Sequence, residues 1–174
     1  MSEETVELII RQAEQEDAAM MITFLKQVAS QTTNLVFDET DICMSIDEEK
    51  EHIQRVHTSA SSISLVALVG DKIVGMADVT ANSQTRLNHV AEYGVSVLQD
   101  YWGLGIGSML TEEALTFFEY SPLHRLTLDV RVDNVRAVSL YQKYGFEKEG
   151  VIRDGLRVND NYIDLIRMAI VKED

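Results

Sequence analysis

Val95-Ser96-Val97-Leu98-Gln99-Asp100-Tyr101-Trp102-Gly103-Leu104-Gly105-Ile106-Gly107-Ser108-Met109-Leu110 is the stretch whose reading decides the fold. Val95 and Val97 alternate as strand residues do. Gly103, Gly105 and Gly107 follow at a spacing of two, where a backbone needs unusual dihedrals or a close approach. Leu110, Ala114, Phe117 and Phe118 then recur on one helical face. A strand that ends in glycines and opens a helix gathers free N–H groups at the positive end of a helix dipole, a ready site for an anion. Three readings compete for it. A phosphate loop of the NTPase type needs Gly-Lys-Ser/Thr, and Ile106-Gly107-Ser108 has no lysine. A dinucleotide fingerprint needs a third glycine where Ser108 stands. The third reading is a glycine turn that only packs a helix on a strand.

The rest of the chain is ordinary for one globular domain, taken here as 1–174, with 45% hydrophobic and 25% charged residues. A net charge of −14 disfavours nucleic acid and anionic membranes as partners, and suits a cationic substrate. Cys43 is the single cysteine and cannot make an internal disulfide; between Ile42 and Met44 it reads as a small buried residue. Met1-Ser2-Glu3-Glu4 does not open like a signal peptide, and no apolar run approaches the ~20 residues of a membrane span, so a cytoplasmic location is expected. His52, His57, His89 and His124 lack metal-ligand spacing, so no metal is expected.

Outward from the glycine stretch, periodicity predicts strands over 6–11, 62–69, 72–80, 87–97 and 125–132, with a last pair over 146–153 and 162–171. Helices are predicted over 14–29, 45–58, the segment after Ser108 up to Pro122, and the segment capped by Asn134 and ended by Gly145. Ser45 with Glu48 forms a capping-box pattern. A long connection over 30–44 and a loop over 154–162 complete the chain. The order β α α β β β α β α β β predicts an α/β (α+β) fold, a mixed and mostly antiparallel sheet of about seven strands carrying four helices. The 62–97 run of hairpins contradicts the parallel alternation that a dinucleotide-dependent oxidoreductase requires.

Two motifs, V-x-V-x-x-x-x-W-G-x-G-I-G-S from Val95 and D-N-x-x-A-x-x-L-Y-x-K-x-G-F from Asp133, stand at a separation that resembles the GNAT superfamily of N-acetyltransferases. The resemblance spans about Val6 to Val171. It implies transfer of acetyl from acetyl-coenzyme A directly to a primary amine, by a monomer or homodimer. It assigns the cofactor pyrophosphate to the amides of Trp102, Gly103, Leu104, Gly105, Ile106, Gly107 and Ser108, and the cofactor's amide arm to the strand edge at Val95 and Val97. An N–H near Val97 or Leu98 would polarise the thioester carbonyl. Asn134, Ala137 and Lys143 become further cofactor-side candidates. Tyr141 matches the general acid that protonates the leaving thiolate, its bland alternative being a core tyrosine. Trp102 stands where the family often has Arg or Gln, which removes one polar contact.

Glu92, on the strand entering the acetyl site, is the candidate general base, directly or through water, its bland alternative being a surface carboxylate. His89 on the same stretch reads as a packed or exposed residue. The acceptor, a small cationic or peptide amine, is expected near Asp38, Glu39 or Asp41 and the 154–162 loop, both rich in carboxylates; the alternative is that these are solvated loop charges. A cofactor-binding sensor of the same fold without turnover is the alternative; Tyr141 argues against it.

Overall fold

The computed structural model describes residues 6–174. Its seven strands are β1 Leu8–Gln12, β2 Ile63–Val69, β3 Lys72–Ala81, β4 Val90–Val97, β5 Arg125–Arg131, β6 Glu147–Val158 and β7 Asn161–Val171. They form one sheet in the order β1-β2-β3-β4-β5-β7-β6. Only β4 and β5 run parallel; the other neighbours are antiparallel. The helices are α1 Ala18–Gln31, α2 Ile46–His57, α3 Ile106–Tyr120 and α4 Val135–Lys143. The mixed sheet with four helices matches the order predicted from the sequence, and none of the described helices is long and apolar enough to cross a membrane.

The period-2 pattern of the strands sorts the core into two layers. Leu65, Ala67, Ala77, Val79, Ala91, Tyr93, Leu126, Leu128 and Val130 pack under α3 and α4 with Leu110, Ala114, Phe118 and Tyr141. Val66, Leu68, Ile73 and Met76 face the opposite side and meet Met21, Phe24 and Val28 of α1 and Ile53 of α2. Gly75 decides how α3 sits: a Cβ there would lie 3.0 Å from Leu110 Cδ1 and 3.2 Å from Ile106 Cγ2, so the missing side chain lets the first turns of α3 lie close on β3.

Several boundaries differ from the sequence reading. The first strand is Leu8–Gln12, and the helix expected from Glu14 begins as a short 3-10 turn, Gln15–Asp17, before α1. Asp17 explains the break: its carboxylate accepts from Glu14 N at 2.8 Å and takes a bidentate bond from Arg11, at 2.7 and 2.9 Å. Residues 87–89 form a turn ahead of β4, closed by Val90 N donating to Leu87 O, so His89 lies outside the strand. The 154–162 loop is instead mostly strand. β6 runs on to Val158 through a register shift between Ile152 and Leu156, and Asn159-Asp160, both at positive φ, make the tight turn into β7. Cys43 is exposed rather than buried, because the segment around it lies outside both core layers. Ser45 and Glu48 do form the expected capping box on α2.

Asp17 is 2% exposed, and its bond to Arg11 holds its carboxyl below the ordinary range. A depressed carboxyl contributes stability above its unfolded pKa of about 4, and that contribution is lost as pH falls through the folded value. Asp17→Asn is expected to lower stability by roughly 1–3 kcal/mol at pH 7, the half-open Arg11 limiting the loss by solvent screening. Denaturant melts should show the difference from wild type shrinking below about pH 4.

Candidate active site

The parallel pair β4–β5 is hydrogen-bonded only over Val90–Arg125, Ala91–Leu126 and Glu92–Thr127. Beyond Glu92 the two strands part, while β4 stays paired with β3 as far as Val97–Gly75. Asn82 N donates to Val90 O and Leu98 N donates to Val74 O, both between directly opposed residues of that ladder. Antiparallel pairs alternate, so the even-numbered residues of β4 bond β3 and the N–H and C=O of Val95 and Val97 point into the gap. Trp102 Nε1 caps one of these groups, donating to Val97 O at 2.7 Å. The N–H groups of Val95 and Val97 are left as free donors at the gap, Val97's at its mouth. The Leu98 N–H, the sequence-derived companion of Val97, is already spent on Val74 O.

The glycine stretch lies at the mouth of this gap. Gln99–Tyr101 makes one 3-10 turn after β4, and Gln31 at the end of α1 fastens it by accepting from Gln99 N at 2.8 Å. Gly103 and Gly105 take φ of +80° and +81°, the conformation that only glycine adopts without strain. Gly105 is the N-cap of α3. Among the described residues no acceptor in the chain takes the N–H of Gly103, Leu104, Gly105, Ile106, Gly107 or Ser108, which leaves a fan of donors at a helix N-terminus. Trp102 does not join it: its amide donates to Gln99 O at 3.1 Å and its indole N–H to Val97 O.

A cation that the sequence reading missed stands beside this fan. The Arg136 guanidinium lies 5.8 Å over the Trp102 ring, and its Nη2 is 3.9 Å from where a Gly103 Cβ would be. Its signal was present in the sequence: Arg136 is the second residue after the N-cap Asn134 and so belongs to the exposed first turn of α4. Asn134 caps α4 by accepting from Ala137 N at 3.3 Å. Ala137 is half-buried against the core beside Val138 and Leu140. Lys143, at the far end of α4, is exposed with its Nζ 5.3 Å from the Tyr144 ring centroid.

Tyr141 is the one buried residue of α4. It meets Tyr93 of β4 edge-on, with centroids 6.3 Å apart, and Phe146 at 5.6 Å, while Tyr93 and Phe146 stack at 6.0 Å. Tyr93 is itself anchored by Thr111 Oγ1 at 2.9 Å. Burial pushes the Tyr141 hydroxyl up to about 12, so it carries its proton at neutral pH. No described side chain or backbone group hydrogen-bonds that hydroxyl. Tyr93, the aromatic neighbour of Tyr141, was also missed, although it shares the odd-numbered parity of Val95 and Val97.

Other candidates are scattered. Glu92 is exposed and on the even-numbered face of β4, away from Tyr93 and Tyr141, where it shares the field of Arg167. Asp38 and Asp41 cap a short 3-10 turn, Glu39–Asp41: Asp38 accepts from Thr40 N at 2.7 Å, and Asp41 accepts from Asp38 N at 3.0 Å. Glu39 is exposed on that turn. The same connection is tied to the end of β5, where Arg131 Nη1 donates to Thr33 O at 3.1 Å and Thr33 Oγ1 at 2.9 Å. The carboxylates therefore sit on a loop fastened beside the parted strands.

Residues 9–146 match the model of the Acetyltransferase (GNAT) family. The chain is 29% identical to L-amino acid N-acetyltransferase AaaT of Escherichia coli (strain K12), over 95% of this chain and 99% of that protein. It is 28% identical to a spermidine N(1)-acetyltransferase of Vibrio cholerae, over 74% of each chain. The crystal structure of a GNAT-family acetyltransferase from Streptococcus pneumoniae superimposes with a TM-score of 0.93 at 34% identity, covering 95% of this chain and 100% of that one. With strands parted beside a free amide and a donor fan at their mouth, on a match that spans most of the sequence, the chain belongs to the GNAT family and is an acetyl-CoA-dependent N-acetyltransferase.

Proposed function

We propose that the protein moves acetyl in one direct step to a small cationic amine in the cytoplasm, with Tyr141 as the general acid. The observation that carries this reading is the free edge of β4. Val95 and Val97 turn their backbone groups into the gap, and a secondary-amide arm such as that of coenzyme A is the chemistry that pairs with such an edge. The Val97 N–H serves as the donor to the thioester carbonyl, whose oxygen gains charge as the amine attacks. The amides of Gly103 to Ser108 receive the pyrophosphate, with Arg136 supplying the positive charge that the net −14 of the chain otherwise lacks. Trp102 acts through its ring and its bond to Val97 O, as a support for Arg136 and the strand end. Asn134 and Ala137 line the cofactor side of α4, and Lys143 meets the adenosine phosphate.

The acceptor nitrogen must arrive uncharged, attack, and lose a further proton, while the departing sulfur needs one. Tyr141 holds its proton at pH 7 and is aimed by Tyr93 and Phe146, which supports it as the donor to sulfur. Asp38, Glu39 and Asp41 contribute negative potential at the entrance rather than direct ligation, since two of the three are committed to the turn. A peptide amine is the second reading. The acidity of the loop fits either acceptor, and an amine panel containing polyamines, amino acids and peptides with free N-termini separates them.

Tyr141→Phe is expected to lower kcat about 10²–10³-fold with the acetyl-CoA Kd unchanged within a factor of two, measured by thiol release and calorimetry. An unchanged kcat removes Tyr141 from the chemistry. Gly107→Val places a branched side chain where a Cβ already lies 3.9 Å from Leu140 Cδ2 and 4.0 Å from Val97 Cγ2, and should weaken acetyl-CoA binding by at least about 100-fold. Arg136→Ala should raise the Kd about 5–20-fold, with the gap between variant and wild type closing as salt is added.

A further inference from the structure

The face of the sheet opposite Tyr141 carries a second polar cluster, inside the layer covered by α1 and α2. Ser64 of β2 and Asp78 of β3 are directly opposed in the ladder, on the face shared with Val66 and Met76. Glu49 of α2 lies one turn before the buried Ile53 and is 6% exposed. Ser64 is 2% exposed, and its Oγ has no hydrogen-bond partner among the described residues. No ion pair reaches Glu49 or Asp78 among the described residues; the exposed His52 of α2 is the neighbour that both face.

A buried carboxyl and a half-buried one, neither in an ion pair, beside a buried hydroxyl that makes no well-formed hydrogen bond, are costly unless a ligand completes them. Burial pushes both carboxyls up from their ordinary range, with His52 opposing in each case and Ser64 opposing at Asp78. What they lack is a compact cation with several N–H donors.

The ladder also says where that cation would sit. Asp78 is opposite Gly94 of β4, a hydrogen-bonded pair whose Cα atoms are about 5.5 Å apart. Gly94 has no side chain, and a Cβ there would meet nothing within 4 Å. It is the second residue beyond Glu92, where β4 has just left β5. The glycine therefore leaves the face of β4 beside Asp78 free of any side chain, next to the point where the gap opens and on the side away from Tyr141. Along the same face the guanidiniums of Arg131 and Arg167 are already bound to Asp133 and Asp129, so they do not wait for a substrate carboxylate.

We infer that Asp78, backed by Glu49 and Ser64, is the ammonium-binding and proton-accepting site for the acceptor, and that it selects primary amines with no carboxylate on the neighbouring carbon. The inference rests on the acetyl-transfer reading above and names the base that reading leaves open. The three N–H groups of the ammonium meet Asp78, Glu49 and Ser64 Oγ. One N–H bond breaks and its proton passes to Asp78. The freed lone pair forms the C–N bond at the thioester carbonyl carbon as the C–S bond breaks. Tyr141 gives its proton to sulfur and recovers one from the acylated nitrogen. Asp78 releases its proton to solvent, so one proton leaves per turnover.

The test uses the full chain with acetyl-CoA and spermidine, 1,4-diaminobutane, L-leucinamide and L-leucine. Asp78 is faced by Glu49 and His52 from α2, Ser64 from β2 and, further along β4, Glu92, so its own titration is isolated by substitution. Asp78→Asn should cut kcat/KM for the best amine about 100-fold, abolish the acid limb of its pH profile, and leave the acetyl-CoA Kd within twofold. Glu49→Gln should raise the amine KM with kcat within threefold. Asp78→Asn should also melt no lower than wild type at pH 7, since it removes a penalty that grows as pH rises from the unfolded carboxyl pKa through the raised folded one. Leucinamide should exceed leucine at least tenfold in kcat/KM. An Asp78→Asn enzyme with unchanged kcat/KM and pH profile overturns the assignment, as does preference for leucine. Failure of wild type to bind acetyl-CoA strikes the parent reading instead. If acetyl-CoA binds without turnover, NMR titration with 1,4-diaminobutane decides: amine binding at Gly94 that is lost in Asp78→Asn supports the site, and binding indifferent to Asp78, or none, refutes it.

Discussion

Everything at the site follows from the point where β4 and β5 stop holding each other. A sheet normally spends its backbone polar groups on neighbouring strands, and a central edge left open is costly unless something else takes them. After Glu92 the chain leaves Val95 and Val97 facing a gap. The opening is held rather than frayed. β3 secures the other edge of β4 through Val97, the next residue bonds Val74 O, and the Trp102 indole takes the one carbonyl at the very end. Beneath the gap, Tyr93, Tyr141 and Phe146 pack edge-to-face and stacked, in ring geometries that keep aromatic side chains in place.

The two faces of β4 divide the labour. Its odd-numbered residues look toward α3 and α4, where a protonated tyrosine and a fan of amides stand. Its even-numbered residues look toward α1 and α2, where the carboxyls of Asp78 and Glu49 stand. Gly94 is the even-numbered position of β4 without a side chain, so that face of the strand is open beside Asp78. The roles proposed for Tyr141 and Asp78 put an acid on one face and a base on the other, as a transfer between two bound partners calls for, since one must lose protons while the other gains one. The aromatic layer that orients Tyr141 also buries it, and burial keeps its proton on at neutral pH.

Much of the site was legible in the residues. Gly103 and Gly105 signalled positive φ, Asn134 and Gly145 marked the ends of α4, and Val95 and Val97 announced the strand edge. What was not legible depended on partners distant in the chain. Leu98 and Val97 are equal donors until the register with Val74 and Gly75 assigns one to β3 and the other to the gap. Trp102 offers an amide in the sequence and spends it on Gln99. Arg136 is one more exposed arginine until α4 is laid beside the glycine turn. Asp38 and Asp41 look like free charges until each is found closing the other's turn. Asp78 did leave a trace, as a charge within the apolar run from Ile73 to Val79, but Ser64 and Glu49 lie in other elements and only the sheet register and the seat of α2 bring them to it.

The sequence by itself determined the order of elements, the glycine turn and the pair of motifs around it, because those depend on local period, on the missing Cβ of glycine and on capping groups within a few residues. Only the tertiary structure decided where β4 leaves β5, which amides remain free, and that the 154–162 stretch is strand with a two-residue turn rather than a loop. Strand pairing is made between residues far apart in the chain, and a register choice of one residue exchanges the groups that are bonded for the groups that are open.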